Sequence, residues 1–326
     1  MEINLSNNRY IAYLLSMTCF CVFVYNYKID YINYNQYPIH SSRISKNPGI
    51  VTKVSAKTEN QRHGCGVIVF AHIHKCAGGT VKTWFEKHAP VLYMIANQEE
   101  QGQGIIQYDP NWKKAIPQVD YFLADVPDKT RWKVLHLHHF FPGLYLSRKY
   151  IEKWKRSVEN KGCIFYKTTV LRDPLARFIS HVNYRNSINK EIPSTMVDNF
   201  MEGSRNWLIR FLLFGVCGNK GKDLTCRYQF SGNITSSPNL NERLTTEMKM
   251  ILNDFDLIGF SDNLEDYFET IRKITGWKDR LNKDIRIHKS KDTFNITRNM
   301  LEKFLKLNQK DYMFYNKMKN NIIEYF

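Results

Sequence analysis

One segment, residues 66–88 (GVIVFAHIHKCAGGTVKTWFEKH), constrains the fold of this chain more than any other. It begins as an uninterrupted apolar run, which predicts a strand buried on both faces. It then passes through a short loop with one lysine and two glycines, and a helix is expected to begin near Thr80. A buried strand that leads through a tight loop into a helix is the first half of a βαβ unit. The segment therefore predicts an α/β domain with a central, mainly parallel sheet flanked by helices.

Apolar runs of strand length alternate with helical patterns along the rest of the domain, as a parallel sheet requires. Helical spacing predicts a helix over 144–158 that stops before Gly162, and a helical pair from Thr297 onward. Asp262 and Glu265 form a capping-box pattern for a helix that ends at Gly276. The predicted strands are Val67–Ile73, Val91–Ala96, Lys133–His138, Ile164–Leu171 and Asp256–Phe260.

The N-terminal region predicts a membrane anchor. Residues 10–27 carry no charge and are long enough to span a bilayer as a short helix. A cleaved signal peptide is the alternative, but no small-residue cleavage site follows. We therefore expect a cytoplasmic tail (1–9), a transmembrane signal anchor (10–27), a polar stem (28–62) and a lumenal domain (63–326), which is a single-pass type II topology.

Cysteines and glycosylation motifs also favour an oxidising, lumenal environment. Cys217 and Cys226 bracket a polar loop and predict a local disulfide. Cys65 and Cys163 each stand just before a predicted strand, so a bridge between adjacent strand starts is a second candidate pair. N-glycosylation triplets begin at Asn233 and Asn295.

The loop of the first segment has the features of a phosphate site. Unpaired N–H groups and the positive end of the dipole at a helix start attract anions. Gly78 and Gly79 allow close approach of the backbone, and Lys75 adds a mobile charge. An ordinary strand–turn–helix with a solvated lysine is the simpler alternative. The lysine precedes the glycines, so the Walker pattern of ATP and GTP hydrolases is absent.

A second motif, residues 170–184 (VLRDPLARFISHVNY), predicts another ligand-binding strand end. A buried strand ends at Arg172, and a helix follows with Asp173 as its cap and Pro174 in its first turn. Arg172 is thus expected at the carboxyl edge of the sheet, where open α/β folds bind ligands and a guanidinium suits a phosphate. A merely structural capped helix start is the alternative.

Five histidines fall in two groups, His72 with His74, and His136 with His138 and His139. Strand alternation places His136 and His138 on one face and His139 on the other. Histidine suits acid–base work near neutral pH, although a structural role is as common for any one of them. No companion cysteine or carboxylate has the usual zinc spacing, so no metal is expected.

These motifs resemble those of PAPS-dependent Golgi carbohydrate sulfotransferases. HKCAGGTV is similar to the HKTA-type loop of galactose-3-O-sulfotransferases and the KTGGT loop of heparan sulfate 6-O-sulfotransferases, with heparan sulfate 2-O-sulfotransferases in the same group. The resemblance implies a P-loop-like sulfotransferase fold. It also implies that the loop binds the 5′-phosphosulfate of 3′-phosphoadenosine-5′-phosphosulfate (PAPS), while Arg172 and Ser180 hold the 3′-phosphate. Cys76 departs from the usual threonine. The loop residues are Lys75, Cys76, Ala77, Gly78, Gly79 and Thr80.

The resemblance further implies the reaction. His139 aligns with the family's catalytic base, with His138 in reserve, and Lys75 stabilises the departing phosphate. Residues 206–215 are similar to the acceptor-side helix of these enzymes. A net charge of +16 favours an anionic glycan as acceptor, and no nucleic acid is expected. The sugar, the hydroxyl position and the oligomeric state stay open, as does tyrosine sulfation. A lumenal ATP-dependent kinase and a glycan-binding protein without turnover are the alternatives.

Overall fold

The chain divides into two units, Met1–Asn47 and Pro48–Phe326. In the computed structural model, the described residues all belong to the second unit. They are residues 51–52, 64–95, 116–126, 132–138, 144–189, 194–214, 254–278 and 294–320. Several expectations therefore lie outside the described residues: the membrane segment at 10–27, His139, the Cys217–Cys226 pair and the triplet at Asn233.

A six-stranded sheet forms the centre of the second unit, in the order β1-β6-β5-β2-β4-β3. All neighbours are parallel except β1 and β6, which are antiparallel. The mainly parallel sheet predicted from the sequence is thus confirmed. The strands are β1 (Val51–Thr52), β2 (Gly66–His72), β3 (Val91–Ile95), β4 (Trp132–His138), β5 (Ile164–Leu171) and β6 (Leu257–Phe260).

Nine helices are described around these strands. They are α1 (Gly78–Glu86), α2 (Ile116–Ala124), α3 (Leu144–Glu159), α4 (Pro174–Asn189), α5 (Ser194–Gly203), α6 (Trp207–Phe214), α7 (Leu264–Thr275), α8 (Arg298–Leu307) and α9 (Gln309–Asn320). The predicted helix from residue 144 and the predicted C-terminal pair are both present, and Gly276 ends α7 in the left-handed conformation that favours glycine.

The sheet is buried on both faces, which explains the continuous apolar character of its strands. On β2, Val67 and Val69 pack into one apolar cluster with residues of α2, α3, α6 and α9. Ile68 and Phe70 point to the other face and pack with residues of α1 and α7. A third cluster joins α4, α5 and α8.

The order of the strands places a switch in chain direction beside β2. From β2 the chain builds β3 and β4 on one side, and then crosses to build β5 and β6 on the other. Ligands of open parallel sheets bind in the crevice at the carboxyl ends of the strands beside such a switch. The loop after β2 and the loop after β5, which carry Lys75 and Arg172, meet at this crevice.

Several details differ from the sequence-based expectations, and three of them bear on the site or on the extent of the sheet. Helix α1 begins at Gly78, two residues before the expected start. The predicted Asp262 cap of α7 is wrong: Asn263 is the N-cap, because Asp262 lies in the preceding turn and forms an ion pair with Lys319 at 2.9 Å. Val51 of β1 pairs with Ile258, so the sheet extends into the segment predicted as stem.

Cys65 and Cys163 form a disulfide with their Cα atoms 5.1 Å apart, as the sequence suggested. The two residues directly precede the paired strands β2 and β5, so the bridge fastens the amino ends of these strands to each other. Within the described part of the chain, no helix has the length and apolar character needed to cross a bilayer.

Candidate functional site

The loop between β2 and α1 has a backbone shape suited to an anion. Lys75 and Ala77 adopt left-handed conformations, with φ of 64° and 61°, each costing a non-glycine residue about 1–2 kcal/mol. Ala77 is the N-cap of α1 and provides no side-chain cap. A left-handed residue followed by the helical residues Gly78, Gly79 and Thr80 turns successive amides toward one point, which makes a concave anion site. The helix dipole adds positive potential there.

Gly78 is required for a reason that the sequence did not reveal. A Cβ atom at this position would lie 1.7 Å from Nε2 of His72. The space beside Gly78 is thus filled by an imidazole ring of β2, and any larger residue would push that ring away. The expectation that Gly78 allows close approach of a phosphate stays a prediction, and this packing requirement is an additional reason for a glycine here.

Cys76 is turned away from the crevice into the apolar core, where its side chain is fully buried. Burial raises the pKa of its thiol to about 12, against the opposing influence of Arg177 and Arg172. Its N–H donates to the carbonyl of Ile73 at 3.2 Å. The expectation that Cys76 contacts the nucleotide does not fit this geometry, so we assign it to packing beneath the loop.

The two predicted motifs come together at Arg172. Its Nη1 donates a hydrogen bond to the backbone carbonyl of Lys75 at 3.1 Å. The helix behind it begins as predicted, with Pro174 as its first residue and Asp173 Oδ1 accepting the N–H of Ala176 at 2.8 Å. The guanidinium and the strained loop therefore form one positively charged edge across β2 and β5.

Lys75 is held against α4. Its Nζ lies 4.1 Å from the ring centroid of Tyr184, an attraction between a cation and the ring face. Burial, and secondarily the charge of Arg172, lowers the pKa of Lys75. Ser180 is half-buried and precedes Tyr184 by one helical turn on the same face of α4. Ser180 therefore lies one helical turn from the Tyr184 ring, against which the Lys75 ammonium packs.

Two further residues of α4 belong to this region and were missed from the sequence. Arg177 is 2% exposed and stacks 4.1 Å from the ring centroid of Trp207. Burial lowers the pKa of His181 to about 3, and the charges of Arg177, Arg185 and Lys75 add to this effect. Their four-residue spacing on one helix face was the available signal, but it is equally typical of a solvated helix.

The histidines form a row of rings across the carboxyl ends of β2 and β4. His72 Nδ1 and His136 Nε2 are 3.0 Å apart. The ring of His138 stacks on that of His72 with centroids 4.0 Å apart, and His74 follows at 5.0 Å from His138. His136 and His138 share one face of the sheet, as predicted. His72 and His136 are buried, whereas His74 and His138 are half-buried.

In the part of the chain that the structure describes, no three or more histidine, cysteine, aspartate or glutamate side chains are grouped so that they could hold a metal ion. The His72 and His138 rings lie face to face, His72 and His136 meet through their ring nitrogens, and His74 is tilted by 37° against His138. They therefore act as a packed row in the structure, and no step of the chemistry considered below uses a metal.

Comparisons with known proteins do not identify a family for this chain. The sequence matches no protein-family model and no curated protein. Among solved structures, the chain is similar to mouse sulfotransferase SULT7A1 complexed with PAP at 10% identity, over 83% of this chain and 96% of that one, with a TM-score of 0.36. It is also similar to the PezAT chromosomal toxin–antitoxin system of Streptococcus pneumoniae at 10% identity, over 61% and 90%, with a TM-score of 0.24. Neither similarity is close enough to carry an argument.

Proposed function

We propose that the chain is a sulfotransferase that moves a sulfuryl group from PAPS to a hydroxyl of a carbohydrate, most simply an anionic glycan. The observation that carries the proposal is the contact between Arg172 and the carbonyl of Lys75. It joins two cationic elements, predicted separately as sites for the two ends of one nucleotide, at the switch point of a parallel sheet. A donor with a phosphate on each side of its ribose matches this pair of sites.

The residues present fit such a donor. The loop amides after Ala77, together with the start of α1, suit the 5′-phosphosulfate. Arg172 suits the 3′-phosphate because its planar fork binds two oxygens at once, and Ser180 can donate from α4. PAPS supplies a sulfuryl group on a good leaving phosphate, so the protein's task is mainly positioning and charge stabilisation.

Each residue then has a stated part in the transfer. Lys75 stabilises the charge that develops on the departing phosphate, and its lowered pKa makes it a better hydrogen-bond donor to that oxygen. The pair His138 and His139, with His139 the first choice from the resemblance, takes the proton of the acceptor hydroxyl. The acceptor oxygen bonds to sulfur as the bond from sulfur to the bridging phosphate oxygen breaks.

We place the domain in the lumen of the Golgi, anchored by residues 10–27 as a type II membrane protein. The Cys65–Cys163 disulfide supports this location, because such bridges persist in oxidising compartments. The triplet at Asn295 supports it as well, because the asparagine is exposed directly before α8.

Nucleotide binding tests the proposal first. We expect 3′-phosphoadenosine-5′-phosphate (PAP) to raise the melting temperature, because ligand at a hundred times Kd stabilises a folded protein by about 2.7 kcal/mol. Arg172→Ala should abolish the shift. Arg156→Ala is the matched control, since this exposed arginine lies near the end of α3. A preference for ATP with magnesium would indicate a kinase instead, and no response to either nucleotide would indicate a glycan-binding protein.

Turnover tests the second half of the proposal. Labelled PAPS and a panel of desulfated glycans should identify the acceptor. His139→Ala and His138→Ala should bind PAP normally, and the variant that lacks the base should lose turnover. Full activity in both variants would refute the assignment of the base to this pair.

A further inference from the structure

The row of histidine rings reaches from His138 to the phosphate loop, which comprises Lys75–Thr80. His72 contacts both, because it stacks on His138 and fills the space beside Gly78. We propose that His72 is a positioning residue that orients His138, and that His138, the half-buried ring on which it stacks, acts as the base. The inference rests on the proposed function. It follows from three observations: how His72 is held, what it holds, and which rings a substrate can reach.

His72 is held on three sides. Its Nδ1 lies 3.0 Å from Nε2 of the buried His136, a hydrogen bond that fixes the rotation of the ring. Phe70, on the same face of β2, stacks with it at 5.7 Å. Its Nε2 edge occupies the space next to Gly78 in the first turn of α1. A ring confined by two aromatic neighbours and a helix backbone has little freedom to change rotamer.

His72 in turn orients His138. The two residues are direct partners in the register of β2 and β4. Their rings stack at 4.0 Å with an angle of 11° between the planes. The plane of His138 is thus set by a ring that is itself in contact with α1. Through this contact, the distance from the base to the phosphate loop is fixed by packing.

Solvent exposure distinguishes the ring proposed to react, His138, from the rings that support it. His72 and His136 are buried, whereas His138 is half-buried at the end of β4. Only a ring in contact with the crevice can accept a proton from a bound hydroxyl. His74, also half-buried, lies 5.0 Å from His138 and has its ring edge-on to Trp207 and Phe211 of α6. His74, in the loop after β2, therefore links His138 to α6, the helix that resembles an acceptor-side helix.

Two substitutions of His72 in the full-length protein test the positioning role. His72→Leu removes the stacked ring, and we expect kcat to fall about ten- to a hundredfold, the size of effect that a small misplacement of a reacting group produces. The Kd for PAP should be unchanged, since no nucleotide contact is lost. His72→Phe keeps the stacked ring and should lose much less activity. His88→Leu is the matched control, because this histidine packs in an aromatic cluster after the other end of α1.

A parallel loss of nucleotide binding and kcat in His72→Leu would overturn the proposal, because it would show a general collapse of the loop. Equal activity in wild type and His72→Leu would overturn it as well, and so would full activity in His138→Ala. The combination of a reduced kcat, an unchanged Kd for PAP and rescue by phenylalanine would support it.

A nuclear magnetic resonance measurement separates failure of this inference from failure of the proposed function. The ring protons of His138 feel the ring current of His72, so their chemical shifts should move in His72→Leu and stay closer to wild type in His72→Phe. If the protein does not bind PAP, the proposed function fails, and a shift change of this kind would still establish that His72 stacks on His138. If the shifts are the same in wild type and His72→Leu, the positioning role is refuted.

Discussion

Two titratable side chains near the phosphate loop, the half-buried His181 and the buried Cys76, both feel the charge of Arg177, yet this charge affects them differently. For His181, burial and the positive charges both disfavour the imidazolium, and its pKa falls to about 3. For Cys76, burial disfavours the thiolate while Arg177 and Arg172 favour it, and burial is the larger influence. In both cases the neutral form is retained, because a buried charge without a close counter-ion is costly.

The depressed pKa of His181 predicts a dependence of stability on pH. Between the folded pKa of about 3 and an unfolded value of about 6.5, only the unfolded state binds the proton, so stability falls as the pH decreases through this range. From pH 7.5 to 5, we expect His181 to contribute a loss of at most about 2 kcal/mol in the free energy of unfolding. Urea denaturation of wild type and His181→Gln at both pH values measures it. Identical pH dependence in the two proteins would contradict the prediction.

The raised pKa of Cys76 predicts an unreactive thiol. The thiolate is the nucleophile, so a buried thiol with a pKa of about 12 should resist alkylation at pH 7.5. We expect iodoacetamide followed by peptide mass spectrometry to find Cys76 unmodified in the folded protein and modified after addition of urea. Rapid modification in the folded state would show that the loop opens and exposes the thiol.

At the scale of the elements, helices α6 and α9 cap each other. Asp311 in the first turn of α9 accepts the N–H groups of Leu208 and Ile209 at 2.8 and 3.0 Å. In return, Asn206 before α6 accepts the N–H of Lys310 at 3.1 Å. Each helix thus satisfies the unpaired amides at the start of the other. The exchange fixes α6, which carries Trp207 under Arg177 and beside His74.

Removal of the Asp311 carboxylate should therefore destabilise the fold. Asp311 is almost fully buried, and Asp311→Ala leaves two amides of α6 without their acceptor. We expect a loss of about 1–3 kcal/mol in the free energy of unfolding, measured by urea denaturation. Glu302→Ala is the control, because this exposed carboxylate on α8 pairs only at the surface and should change stability by less than about 0.5 kcal/mol. A similar effect of both substitutions would contradict the mutual capping.

At the scale of the whole described unit, a disulfide and a hydrogen bond link β2 and β5 at their two ends. The disulfide ties their amino ends, and the hydrogen bond from Arg172 to the Lys75 carbonyl links the loops at their carboxyl ends. Between these points, the strands are paired in continuous register. The crevice proposed to hold the nucleotide is thus supported by a strand pair whose residues are almost all buried.

The disulfide should make a large contribution to stability. It links residues 98 positions apart, and a bridge closing a loop of this length restricts the unfolded chain strongly. We expect the double variant Cys65→Ser/Cys163→Ser to lose about 2–5 kcal/mol in the free energy of unfolding. Reduction of the wild type should produce the same loss, and reduction of the double variant should have no further effect. Equal stability of oxidised and reduced wild type would contradict the prediction.

The sequence by itself determined five of the six strands to within one residue, the ends of several helices and the two loops of the candidate site. The predicted run Ile164–Leu171 matches β5 residue for residue, and Asp173 with Pro174 begins α4 as expected. These features are local: an apolar run long enough for a strand, a capping side chain or a proline carries its structural meaning within a few residues.

Only the tertiary structure decided which side chains meet. The contact of His72 with His136 spans 64 positions, that of Arg172 with Lys75 spans 97, and that of Asp311 with Leu208 spans 103. No local sequence pattern predicts these contacts, because they depend on strand order and on how the helices pack. For the same reason, the space that His72 needs beside Gly78, and the inward turn of Cys76, became visible only once β2, β4 and α1 were in place.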